Sequence, residues 1–171
     1  MNPLAWLEAD MARHMLVEFP LVVGLGVLLA GLAPRRIDAA IERFDAYGLT
    51  GWLFASLVAA YWMIPAALDA ALASAAVNAV KLASLLAAGF ALRGAMRRSP
   101  LALEAFVVGN FTWMAATVGL VYQEAEARLC LAYLADSQQR AGFGLVVLAV
   151  VALITWLGIR VAHIPIPFPR R

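Results

Sequence analysis

Five apolar runs, at residues 15–32, 49–65, 77–92, 101–122 and 141–161, are separated by short charged breaks. A helix needs on the order of 20 apolar residues to cross a bilayer, and backbone that enters hydrocarbon must satisfy its own hydrogen bonds. Runs of this length and spacing predict an all-α integral membrane bundle of five transmembrane helices, forming one domain over residues 1–171. Composition agrees, with 64% of residues hydrophobic and 14% charged, against roughly a quarter charged in soluble domains. The net charge of +2 does not indicate nucleic acid. The basic residues flank apolar runs and form no free patch, so the first expected partner is the lipid bilayer.

The breaks after the first, third and fifth runs carry Arg35, Arg36 and Arg43, then Arg93, Arg97 and Arg98, then Arg160, Arg170 and Arg171. The opposite side carries Arg13, Lys81, Arg128 and Arg140. The positive-inside rule then places the N-terminus outside and the C-terminus in the cytoplasm, as an odd number of spans requires. The expected location is the cytoplasmic (inner) membrane, with the periplasm outside in a bacterium. Residues 1–10 have neither the basic leader nor the cleavage site of a signal peptide, so the first run is expected to stay in the mature protein. Residues 37–44 alternate apolar and charged positions at helical spacing and read as a short interfacial helix. Pro20 should kink the first span, and the Ala-rich stretch 66–76 should let helices approach closely.

This topology gathers scattered polar groups at one outer face. In a helical reading, Asp10, His14 and Glu18 recur every four residues on one side, with Met11 and Met15 on the adjoining flank. Imidazole and thioether donors together suit copper, and the competing reading is an ordinary wet helix end. The same face receives Asp69, Asn78 and Lys81, and Gln123, Glu124, Glu126, Cys130, Asp136, Gln138 and Gln139. Lys81 is expected to snorkel or to pair with Asp69. Cys130, the single cysteine, reads as a small buried residue or a thiolate ligand.

His163 falls near the inner end, about 30 Å of hydrocarbon away from His14, so a bis-histidine haem is not expected. No acid–base pair lies within the spans, and no enzyme activity is expected. Asn110, Met114 and Thr117 form a stripe read as the packing face of the fourth span, and Glu104 is expected at headgroup level or paired with Arg97 or Arg98. Several of the five tryptophans sit where an aromatic belt would.

The segment Asp10-Met11-Ala12-Arg13-His14-Met15-Leu16, followed by Pro20-Leu21-Val22-Val23-Gly24, resembles the entry helix of the caa-type cytochrome c oxidase assembly factors, whose pattern is His-Met-x-x-His-Met before a Pro-Leu-rich span. Leu134-Ala135-Asp136-Ser137-Gln138-Gln139-Arg140-Ala141-Gly142 is similar to that family's Asp-Gln-Gln-x-Ala-Gly motif. Asp10 stands where the family has its first histidine, and Ser137 is inserted before the glutamine pair. The resemblance implicates His14, Met11, Met15, Asp136, Gln138 and Gln139, to which the helical face adds Asp10 and Glu18. The expectation that follows is a membrane factor holding copper, as Cu(I), at its outer face for a copper enzyme such as a terminal oxidase. The alternative is a non-catalytic transmembrane subunit of a respiratory or photosynthetic complex.

Overall fold

Helices make up every regular element in the computed structural model, which describes residues 3–125, 129–130 and 132–162. His163, Glu126, Arg128, Arg170, Arg171 and the side chain of Arg35 lie outside the described residues. A short α1 (Pro3–Glu8) leads to α2 (Met11–Arg13), a π-helical turn over His14–Glu18 and α3 (Phe19–Leu32), the last three forming one span of 22 residues. Then come α4 (Arg35–Phe44), α5 (Leu49–Trp62), α6 (Pro65–Ala73), α7 (Ala75–Arg98), α8 (Leu101–Glu124) and α9 (Ala135–Ala162).

Four of these stretches, Met11–Leu32, α7, α8 and α9, are long and apolar enough to cross a membrane, as a multi-pass protein requires. A fifth crossing arises only if α5 and α6, bent by 76° at their junction, count as one span. The bend follows from sequence, because Pro65 opens α6 and disfavours helical backbone at Ile64. The expected effect of Pro20 takes a different form. The wide π turn ends just before it, in the region where proline cannot donate the usual backbone hydrogen bond.

Helix α3 packs on α7, α7 also carries α5, and α8 packs on α9. Glycines set the two closest crossings. A Cβ at Gly26 would overlap the Leu86 carbonyl, and one at Gly89 the Val23 carbonyl. Gly119 and Gly142 repeat the arrangement between α8 and α9, where a Cβ on either would lie 2.5–2.6 Å from the other's carbonyl oxygen. The Ala-rich stretch also packs as expected, with Ala67, Leu68 and Ala71 of α6 buried.

Of the stripe expected on α8, Met114 packs against the core and the two polar members do not. Asn110 and Thr117 are exposed, whereas Glu104, Val107, Thr112, Ala115, Gly119 and Tyr122 face the interior. Buried Glu104 accepts from Ser99 and Trp156 and pairs with Arg160, not with Arg97 or Arg98. Arg97 and Arg98 instead hold Asp38 of α4. Arg98 also reaches Asp45, whose carboxylate caps α5 through the Thr50 and Gly51 amides. Of the tryptophans, Trp52 and Trp62 are core residues, while Trp6 and Trp113 are exposed.

Candidate metal centre

Asp10 starts the first long helix, its Oδ1 accepting from the amides of Ala12 and Arg13. Because the helix begins after it, Asp10 does not share the helical face of His14 and Glu18. Its Oδ2 instead accepts from Ser137 Oγ at 3.1 Å and pairs with Arg140 at the same distance. Ser137 Oγ in turn accepts from the Met11 amide at 2.8 Å. The two sequence motifs therefore meet, joined through Asp10, Met11, Ser137 and Arg140.

Within that frame lies a buried ionic cluster. His14, Glu18 and Lys81 are 0–1% exposed. Lys81 Nζ sits 2.6 Å from His14 Nε2 and 3.3 Å from Glu8 Oε1, both hydrogen bonds, and 2.7 Å from Glu18 Oε1 as an ion pair. Asn78 donates to the same Glu8 oxygen at 2.7 Å. Glu18 Oε2 stands 3.6 Å from His14 Nε2. Among the described residues, neither Glu18 oxygen has a partner aligned as a hydrogen bond, although Lys81 lies in ion-pair contact.

The histidine tautomer follows from its neighbours. Tyr133 lies outside the spans, and burial first, then Cys130, Glu8, Glu18 and Asp10, push its phenol above the ordinary range. Its hydroxyl donates to the Glu8 carbonyl oxygen at 3.0 Å. That proton being committed, the 2.6 Å contact with His14 has Nδ1–H as its donor. Nε2 is then left with its lone pair, facing Lys81, Glu18 and Glu8. Phe19 closes one side of the imidazole in an edge contact, ring centroids 5.5 Å apart.

Ligand atoms of Glu8, His14 and Glu18 fall within 4.8 Å of one another, a spacing that admits a metal ion. Of the other expected residues, the carboxylates of Asp10 and Asp136 do not join this group. Met11 is buried, and Met15 lines an apolar cavity of about 360 Å³ bounded also by Phe19, Trp52 and Trp156. Gln138 accepts from the Leu129 amide and donates to the Tyr122 carbonyl, tying the segment before α9 to α8. Asp136 and Gln139 are exposed and line an open pocket with Arg140. All three lie on the first turns of α9, which begins before the expected span.

Sequence reasoning missed Glu8, and it sent Lys81 to the interface or Asp69. One signal was available: Lys81 is the chain's sole lysine, the other twelve of its 13 basic residues being arginine. Comparison with protein-family models, with curated proteins and with solved structures finds no match.

Cys130 is buried, its Sγ 3.8 Å from the Pro65 carbonyl oxygen. Burial, reinforced by Asp69, pushes its thiol up to about 12, so the thiolate that would ligate a metal or attack an electrophile is scarce near neutral pH. The native protein is expected to react with a maleimide only as fast as it opens, and the denatured protein at once. Mass spectrometry after timed quenching checks this, and immediate labelling of the folded chain would contradict it. The folded state binds this proton more tightly than the unfolded one, so the associated stability is present below the ordinary thiol value of 9.0 and is lost as pH climbs toward about 12.

Proposed function

We propose that this chain is a five-span protein of the cytoplasmic membrane, with its N-terminus outside, that holds a copper ion at His14 near the outer end of the bundle. It passes the ion to a membrane copper enzyme, for which the motif resemblance points to a terminal oxidase. The observation that carries this reading is the convergence of the unprotonated His14 Nε2 with the carboxylates of Glu8 and Glu18. The residues fit a cation, since an ammonium already sits among the three donors and the buried Glu18 oxygens lack aligned hydrogen bonds.

Supporting the orientation, Arg97 and Arg98 join Asp38 and Asp45 at one end of α7, while Lys81 and the histidine cluster occupy its other half. The donor set also bears on oxidation state. Carboxylates with imidazole favour Cu(II), which heads the divalent affinity order, whereas Cu(I) would draw on the thioethers of Met11 and Met15. Tyr133 holds the His14 ring in the ligating tautomer, as carbonyl and carboxylate partners do behind other metal-binding histidines. Copper, when bound, is cargo for transfer. The protein's own work is to orient the imidazole, exclude water with Phe19 and supply carboxylate charge.

The test is titration of detergent-purified protein with Cu(II), and with Cu(I) under reduction, against a competing chelator. Native protein is expected to bind near one equivalent, and His14→Ala combined with Met15→Ala to bind none. Absence of binding, or binding indifferent to these changes, would favour a non-catalytic subunit whose cluster only holds helices together.

A further inference from the structure

We infer that Lys81 is a resident competitor for the metal position, its ammonium filling the site in the empty protein and withdrawing when the cation arrives. The inference rests on the copper reading above and concerns how that site is regulated.

The geometry argues for a stand-in. Lys81 Nζ contacts each of the three candidate donors, at 2.6, 2.7 and 3.3 Å, so an ion bound by them and the ammonium cannot be present together. The residue type fits the task, because lysine offers a compact point charge with three donors where arginine brings a planar fork. Every other basic position in the chain is arginine. The surroundings also provide an exit. Glu18 is 1% exposed, but the Glu8 side chain is 17% exposed and already accepts from Asn78, one turn before Lys81 on α7. A withdrawn ammonium moves out past the partly exposed Glu8 carboxylate, leaving His14, Glu18 and one Glu8 oxygen to the metal.

Such a competitor has two effects. The empty site holds its buried carboxylate against a fixed positive charge, so the bundle folds without metal. Affinity is also lowered by the fraction of molecules in which the ammonium occupies the site, which suits a protein that must release its ion.

Two experiments test this together. In the first, copper is titrated into native, Lys81→Met and Lys81→Gln proteins against a chelator. Both variants are expected to bind about tenfold tighter or more, with the gain lost on adding His14→Ala. In the second, native protein is pulsed with an amine-reactive ester and digested for mass spectrometry. Lys81, the only lysine, is expected to be protected without copper and labelled faster with it. This experiment needs no variant, so it decides the question even if both substitutions prevent folding. Native binding with unchanged or weaker binding in the folded variants, or Lys81 labelling indifferent to bound copper, overturns the inference and leaves the copper reading standing. No copper binding by native protein or either variant removes both.

Discussion

Glu18→Ala is expected to lower the stability of the metal-free protein by about 3–5 kcal/mol, the usual effect of removing one partner from a buried ion pair. Lys81 is 0% exposed, and Glu18 is its nearest carboxylate and the more deeply buried of two. Without Glu18, the ammonium depends on Glu8 and an imidazole that is already held by Tyr133. Glu8→Ala removes a longer, partly exposed contact and is expected to matter less. The informative comparison is Glu18→Leu combined with Lys81→Met, which deletes both charges and should recover most of the loss, since apolar replacement of a buried pair is often neutral or better. Thermal unfolding of the four proteins in one detergent, followed by circular dichroism, checks the order. A double variant no more stable than Glu18→Ala would mean that the pair itself is not the source of the effect.

The second large effect is steric. Gly89→Leu should destabilise by at least about 3 kcal/mol, at the upper end of overpacking penalties, because the added side chain meets the Val23 backbone and no rotamer relieves a clash at Cβ. Gly109→Ala and Gly158→Ala serve as controls, since a Cβ at either position has nothing within 4 Å. Helix propensity should make those two neutral or slightly stabilising. Recovery of monodisperse protein after extraction, together with its melting temperature, separates the cases. Equal loss in all three variants would show that glycine acts through the backbone and not through the α3–α7 contact.

These two sites also show what the sequence conveys. Hydropathy reads a helix wherever an apolar run fills a span, because burial in lipid imposes that pattern locally; α7, α8 and α9 each enclose the expected run. The same immersion hides the packing faces. When lipid-facing and protein-facing positions are both apolar, periodicity cannot separate them: of the stripe Asn110, Met114 and Thr117 only Met114 packs inward, while Val107 and Ala115 hold the contact. His14 and Glu18 were legible because they lie four residues apart on one helix. Lys81 and Glu8 were not, since their contact spans 73 positions and depends on how α7 lies against α1. Asp10 looked like a ligand by spacing and is a helix cap, a role that ends the periodicity on which the spacing argument relied.

The sharp turn between α5 and α6 has a consequence for how the charged cluster senses its surroundings. It frees the Met63 carbonyl, which Tyr122 satisfies with its hydroxyl at 2.6 Å. It also brings Ala67, Leu68 and Ala71 into the same core as Met11 and Met15. Protein thus supplies the medium around His14, Glu18 and Lys81, each 0–1% exposed, and Glu8, at 17%, is the member of the cluster that reaches toward the surface. Changing ionic strength from 0.01 to 1 M shortens the Debye length from about 30 to 3 Å in bulk solution, yet the attraction within the cluster is set by fixed dipoles and distance. The buried part of the cluster is therefore screened far less than a surface ion pair, and the attraction that holds Lys81 against Glu18 should vary little with salt.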